Sequence, residues 1–276
     1  MYKLATVFLL AVGCCANTFA SAAITAPYSN DFSSIVPPAD EDFSPTLNGQ
    51  WSVVGEKYRN QILSTPSEEK TSTSMLQFSN LGGSPLTAND FFLSTTFIVD
   101  PATVGTDNSI GFAVLGNSAN ATTNSSSHYI ADVFLGSGTM NFGKLRFAEI
   151  GMSTTYAMTD GSLGKVLQPN TPYTLELEGK YDENGALKMK LGLIDGLDYD
   201  TFETISIPAA NVLNGNYFGF RNRASGGATS TLSVELDNLN IVAIPEPSSI
   251  GFVATSLIAG YAIGMYIRRR MPSSMV

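Results

Sequence analysis

Tyr173-Thr174-Leu175-Glu176-Leu177-Glu178-Gly179-Lys180 leads into Tyr181-Asp182-Glu183-Asn184-Gly185-Ala186 and then Leu187-Lys188-Met189-Lys190-Leu191-Gly192-Leu193. In the first run Tyr173, Leu175 and Leu177 alternate with Thr174, Glu176 and Glu178. In the last, Leu187, Met189, Leu191 and Leu193 alternate with Lys188, Lys190 and Gly192. A period of two puts one set on a buried face and the other in water, which is the signature of a half-buried strand. Asn184-Gly185 tolerates the positive φ of a tight turn, so the two runs are predicted to form a hairpin. Further strand candidates lie at 51–54, 75–78, 91–99, 110–115, 129–135, 145–150, 204–207, 217–223 and 231–242. No helical period, internal repeat or break in composition interrupts residues 23–243. About a dozen short antiparallel strands in about 220 residues predict one all-β domain built of two sheets packed face to face.

Composition agrees. Of 276 residues 43% are apolar, enough for a core, while 25 Gly, 13 Pro and only 14% charged residues suit short strands joined by turns. The net charge is −9, but Lys3, Arg268, Arg269 and Arg270 stand at the two ends. Between them are 11 basic and 24 acidic residues, a balance of −13. Such a body repels nucleic acid and anionic lipid, and no basic patch interleaved with aromatics offsets this, so nucleic acid is excluded as a partner.

The ends differ from the body. Residues 1–22 read as a signal peptide, with Lys3 as the positive start, an apolar run at 4–12 and small residues Ala20-Ser21-Ala22 for cleavage. The apolar run is too short to cross about 30 Å of hydrocarbon. Gly13-Cys14 leaves lipoprotein processing at Cys14 open as a second route, although Ala11 stands where a larger aliphatic residue is usual. Both cysteines, Cys14 and Cys15, fall in this leader. The exported body would then carry no thiol and no disulfide, and its stability must come from packing and sheet hydrogen bonds.

At the other end, Pro245-Glu246-Pro247 precedes 18 uncharged residues, 250–267, and then Arg268-Arg269-Arg270. At 1.5 Å per residue the apolar stretch reaches about 27 Å, close to one hydrocarbon thickness. Three glycines and the lack of a polar face argue against a water-facing helix there. Arginines on the cytoplasmic side place the body outside. A Pro-Glu-Pro triplet, one apolar helix and an arginine cluster in this order resemble the PEP-CTERM sorting segment of Gram-negative bacteria. The resemblance covers about 30 residues, 244–276. It implies processing at Pro245, Glu246 and Pro247 by an exosortase-type membrane enzyme, cytoplasmic anchoring by the arginines, residence in the cell envelope or release to the surface, and association with exopolysaccharide or biofilm matrix. Physically, two prolines around Glu246 hold the peptide extended and deny it helix hydrogen bonds.

Landmarks in the body carry a second resemblance. Asn30-Asp31-Phe32, then Gly49-Gln50-Trp51-Ser52-Val53, Ile110-Gly111-Phe112, Tyr217-Phe218-Gly219-Phe220-Arg221 and Glu235-Leu236-Asp237-Asn238-Leu239 follow one another as in concanavalin A-like jelly rolls, the laminin G-like group. This implies a jelly-roll sandwich over 23–243. Fold alone does not fix activity.

Glu235-Leu236-Asp237 resembles the start of the catalytic Glu-x-Asp-x-x-Glu strand of laminarinase-type glycosidases. The last position here is Asn240, which cannot exchange a proton, and a retaining mechanism needs two carboxyl groups about 5–5.5 Å apart. The motif also lies on the final strand, where a central one is expected. The single histidine, His128, follows the polar stretch 117–127 and reads as a loop residue, so zinc and Cys/His chemistry have no ligands or nucleophile. Calcium is the candidate cofactor: the jelly-roll resemblance implies neighbouring first and last strands, which would bring Asp31 near Asp237 as hard oxygen ligands. Asp195, Asp198 and Asp200 lack the spacing of a calcium loop and read as a hairpin end. Trp51, Tyr58, Tyr129, Tyr156 and Tyr199 are available for stacking on sugar rings, although Trp51 shares a face with Val53 and reads as core. Two function classes stand at this point: a non-catalytic surface or matrix protein that binds polysaccharide, and a glycoside hydrolase or lyase of the jelly-roll type.

Overall fold

A computed structural model describes residues 23–33, 43–45, 49–65, 69–103, 107–119, 127–135, 142–150, 161–162, 167–196, 198–225 and 230–244. The signal peptide with Cys14, the motif Pro245, Glu246 and Pro247, the apolar stretch 250–267, and Arg268, Arg269 and Arg270 lie outside these residues, as does Tyr156. Among the described residues no helix is long and apolar enough to cross a membrane.

The described chain is all-β. Its strands are β1 (Tyr28–Asn30), β2 (Ser44–Pro45), β3 (Gln50–Val53), β4 (Tyr58–Ser64), β5 (Lys70–Gln77), β6 (Asp90–Val99), β7 (Ser109–Gly116) and β8 (His128–Leu135). They continue as β9 (Phe142–Ile150), β10 (Gly161–Ser162), β11 (Pro172–Tyr181), β12 (Leu187–Asp195), β13 (Asp198–Ile207), β14 (Tyr217–Ala224) and β15 (Ser230–Ile244). One sheet of eight strands has the order β13-β12-β11-β6-β15-β4-β3, with β1 also paired to β15. The other has seven strands in the order β10-β9-β8-β7-β14-β5-β2, and every pairing within the two sheets is antiparallel.

The hairpin that opened the sequence reading is β11–β12, in register from Thr174 opposite Ile194 to Tyr181 opposite Leu187. Its turn is closed by Asp182, whose carboxylate accepts the backbone N–H groups of Asn184 and Ala186, both at 2.9 Å. Gly185 adopts φ +79°, which a side chain at this position would resist. Leu175, Leu177, Leu187, Met189 and Leu191 are all fully buried against the other sheet. Each such side chain withdrawn from water contributes about 1.5–3 kcal/mol. Gly179 lies opposite Phe91 of β6, and a Cβ there would sit 2.2 Å from the Phe91 ring, so the glycine makes room for a core aromatic.

The short strands β1, β2 and β10 have no counterpart in the sequence expectation, and β13 starts six residues before it. The two departures that matter for the core are β4 and β5. β4 is absent from the expectation because its buried face is Tyr58, Asn60, Ile62 and Ser64, half of it polar. β5 begins at Lys70, five residues before the expected start, with Ser72 and Ser74 facing inward. These polar groups are satisfied between the sheets. The Tyr58 hydroxyl shares a 2.7 Å hydrogen bond with Ser74 Oγ, Asn222 Nδ2 donates to Asn60 Oδ1 at 3.0 Å, and Trp51 Nε1 donates to Ser72 Oγ at 2.6 Å. Buried polar groups that find partners in this way avoid most of their desolvation cost.

The chain ends of the body meet at one pole. Ile24 accepts from the Ser79 N–H and donates to Gln77 O beside the end of β5, while β1 runs back along β15 with Tyr28 opposite Ile241. β15 finishes at Ile244, opposite Asp90 at the start of β6. The segments entering at residue 23 and leaving after residue 244 thus sit at the same end of the sandwich.

Candidate functional site

The strand that invited a glycosidase reading is β15. It is the last in sequence yet lies mid-sheet, between β6 and β4, so the objection that a final strand would be peripheral does not hold. Its carboxylates are nevertheless engaged. Val234 and Leu236 fill the core, which turns Glu235 to the outer face, where it pairs with Arg59 and lies 3.9 Å from Lys57 Nζ. Asp237 Oδ1 accepts the N–H of Asn238 at 2.7 Å. Between Asp237 and Asn240 the register with β6 slips and Asn238 takes φ +52°, which ends the alternation on which a Glu-x-Asp-x-x-Glu ladder depends.

β1 and β15 are neighbours, with Asn30 opposite Leu239. That register brings Asp31 beside Asn238, at the edge of a depression of about 460 Å³ lined by Ser29, Asn30, Asp31, Asn238, Leu239 and Asn240. Asp237 is adjacent in sequence but is not among the lining residues. Asp31 Oδ1 accepts both the Ser33 hydroxyl at 2.7 Å and the Ser33 N–H at 3.0 Å, and these bonds hold its carboxyl below the usual carboxylate range. Carboxylate and amide oxygens are suitable donors for calcium, which takes six to eight of them. Among the described residues no three His, Cys, Asp or Glu side chains gather as a metal cluster.

The outer face of the seven-stranded sheet carries residues that sequence reasoning passed over. Thr73, Arg221, Gly111 and Asp132 stand in one row across β5, β14, β7 and β8. Arg221 Nη1 lies 3.7 Å from Asp132 Oδ2, Ser109 Oγ donates to the same oxygen at 2.7 Å, and Arg221 Nη2 donates to Thr71 Oγ1 at 3.3 Å. Asp132 is wholly buried and Arg221 nearly so. His128 is not a loop residue: it begins β8 and is fully buried. Tyr58 and Tyr129 are buried too, with the Tyr129 hydroxyl donating to Asn211 O at 2.7 Å, so neither can stack on a sugar at the surface. Trp51 packs on Tyr58 with centroids 4.9 Å apart, as its core reading requires. Tyr199 lies on β13, and Asp195 opposite Asp198 closes the β12–β13 hairpin.

At the pole away from the chain ends, a second cavity of about 450 Å³ opens on the outer face of the eight-stranded sheet. Gln50, Gln61, Leu63, Asp100, Thr231 and Ser233 line it, with Gly49, Ile62 and Ala102.

No protein-family model matches this chain, and no curated protein does either. Solved structures do. A Bacillus subtilis protein of unknown function with a galectin-like fold has TM-score 0.54 at 11% identity, covering 78% of this chain and 94% of its own. The lectin UEA-II in complex with galactose has TM-score 0.50 at 11% identity, covering 79% and 98%. The Lotus tetragonolobus seed lectin has TM-score 0.48 at 10% identity, covering 80% and 99%. The body is a concanavalin A-like jelly roll. At these identities the likeness is one of fold, and activity has to be argued from the residues of this jelly roll itself.

Proposed function

We propose that this is an exported, non-catalytic surface or matrix protein whose jelly-roll body binds extracellular polysaccharide outside the cytoplasmic membrane. One observation carries the reading: β15 ends at Ile244, directly before Pro245-Glu246-Pro247, at the pole where residue 23 also enters. A leader ending at 22 and a sorting segment starting at 244 would then flank the same end of the body. Its other pole would face outward. In this reading residues 250–267 span the membrane, Arg268, Arg269 and Arg270 stay in the cytoplasm, and an exosortase-type enzyme reads the extended triplet. The ion pairs that engage Glu235 support a binding role over glycoside hydrolysis or lysis. A structural calcium ion belongs to the same proposal, with Asp31 in the depression and Asp237, which would have to leave the Asn238 N–H to reach it, as charged ligands beside the amide groups of Asn238 and Asn240.

The test compares hosts with and without an exosortase. Native protein should lose its C-terminus only in the first. Glu246→Ala, or Pro245 and Pro247 both changed to Ala, should accumulate as full-length membrane-bound protein there. A native C-terminus retained in both hosts would leave a membrane anchor and remove the sorting reading.

A further inference from the structure

We infer that the cleft between β3, β4, β15 and the turn after β6 is a subsite for a neutral saccharide. The inference rests on the polysaccharide-binding reading above and adds to it where the ligand sits and which chemical class it belongs to. The cleft lies on the pole opposite Ile244, which that reading turns away from the membrane.

Its walls are built before any ligand arrives. Asp100 N–H donates to Ser233 O at 3.0 Å, Thr103 Oγ1 donates to the same oxygen at 2.9 Å, and Ser233 N–H donates to Thr103 Oγ1 at 3.1 Å. Asp100 Oδ1 also accepts the Ala102 N–H at 2.7 Å, closing the turn on itself. The turn is thereby fixed to β15, and side chains held in this way lose little freedom when a ligand binds. Gln50 and Gln61 project from the exposed side of β3 and β4, and Leu63 stands 60% exposed next to them. Gln61 Nε2 reaches Ser233 Oγ at 3.4 Å, and Ser233 Oγ reaches Asp100 Oδ2 at 3.4 Å, both long bonds that a better partner can replace.

These groups fit a sugar ring. A carboxylate accepts from hydroxyl groups, amides both donate and accept, and a bare leucine receives the C–H face of a pyranose. Among the described residues no lysine or arginine lines the cleft, and Asp100 stands inside it, on a body of strongly negative charge. A uronate or sulfated glycan would bring a second negative charge to a site with no cation to meet it. A neutral glycan avoids that conflict.

The experiment is calorimetric titration of the full chain in detergent micelles with neutral gluco-, galacto- and manno-oligosaccharides, and with oligouronates of equal length. Native protein should bind a neutral series, with an affinity that changes little between low and high salt. The exposed pair Gln61→Ala and Leu63→Lys should weaken that binding at least tenfold at unchanged denaturation midpoint. Leu86→Lys, 66% exposed on the loop before β6, should bind as the native protein does. Neutral binding that survives the paired change, or binding confined to oligouronates, would overturn this site while sparing the polysaccharide reading. Binding of no oligosaccharide at all would overturn both.

Discussion

Arg221 of β14 reaches Asp132 of β8 across the whole width of β7, and the residue at the crossing is Gly111. A Cβ on Gly111 would lie 2.3 Å from Ala131 O and 2.4 Å from Asp132 Cβ, so even alanine cannot fit without moving a neighbouring strand. Breaking a buried ion pair by removing one partner costs about 3–5 kcal/mol, because the remaining charge is stranded. Asp132→Ala and Arg221→Ala should each lower the free energy of unfolding on that scale, and Gly111→Ala should do so through strain. Replacing both charges together with Asp132→Leu and Arg221→Met should cost less than the two single changes summed. Urea denaturation of the four variants measures this, and single variants within about 1 kcal/mol of native would deny the pair a structural role.

The β11–β12 turn offers a local test. Asp182→Ala removes the acceptor of two backbone N–H groups and should cost about 1–2 kcal/mol. Asp182→Asn keeps an acceptor oxygen and should recover most of the loss. Gly185→Ala should cost more than a surface change, since φ is +79° and the new methyl would press on Leu86 and Pro85, both 3.2 Å away. Equal stability of Asp182→Ala and native protein would show that the turn is held by its flanking strands alone.

Alkaline stability should depend on Tyr181. Burial, and then the charge of Asp90, push its phenol well above its ordinary value of 10.0. Its hydroxyl has no hydrogen-bond partner among the described residues. A group whose folded pKa is raised keeps its full contribution below the unfolded value, and loses it as pH rises from 10 toward the folded value. Lys180, raised by its hydrogen bond to Glu178, titrates in the same direction. Tyr181→Phe should leave the urea midpoint at pH 7 almost unchanged and flatten its fall above pH 10. An equally steep fall in the variant would assign the alkaline loss elsewhere.

Calcium makes the fourth test. Asp31 is held below its ordinary value of 3.8 by its bonds from Ser33, so its contribution is full above that pH and is lost as pH falls through the folded value. Measured near neutral pH, added calcium should raise the free energy of unfolding by about RT ln(1 + [Ca]/Kd), seen as a higher melting temperature. Asp237→Ala and Asp31→Ala should each abolish the rise. A melting temperature indifferent to calcium in the native protein would end the idea.

Strand periodicity made most of the fold legible in the sequence, because Leu175, Leu177, Met189 and Leu191 alternate cleanly with polar neighbours. It failed where the interior is polar. Asn60, Ser72 and Ser74 are buried with partners across the two sheets, and that pairing cannot be seen one strand at a time. At His128 the difference is one of boundary: the strand expected over 129–135 begins one residue earlier, at the histidine itself. Asp132 and Arg221 are 89 positions apart in sequence, and only the β7 register between them brings them together. The distal cleft was equally hidden, since Gln61, Asp100 and Ser233 come from three widely separated stretches of chain.

The strand made last is the one in the middle. Until Ser230–Ile244 has left the ribosome, β4 with β3 on one side and β6 with β11, β12 and β13 on the other have no common neighbour to join them. Synthesis therefore delivers the keystone after everything else, and the sheet cannot close on a partly made chain. A polypeptide that must pass through a narrow channel before it folds gains from this order, because its eight-stranded sheet stays open until the final fifteen strand residues arrive. Moving that strand to the front by circular permutation, through a linker joining the two ends at their shared pole, would let the sheet assemble early and, if the body is exported as proposed, should slow export while leaving the folded body intact.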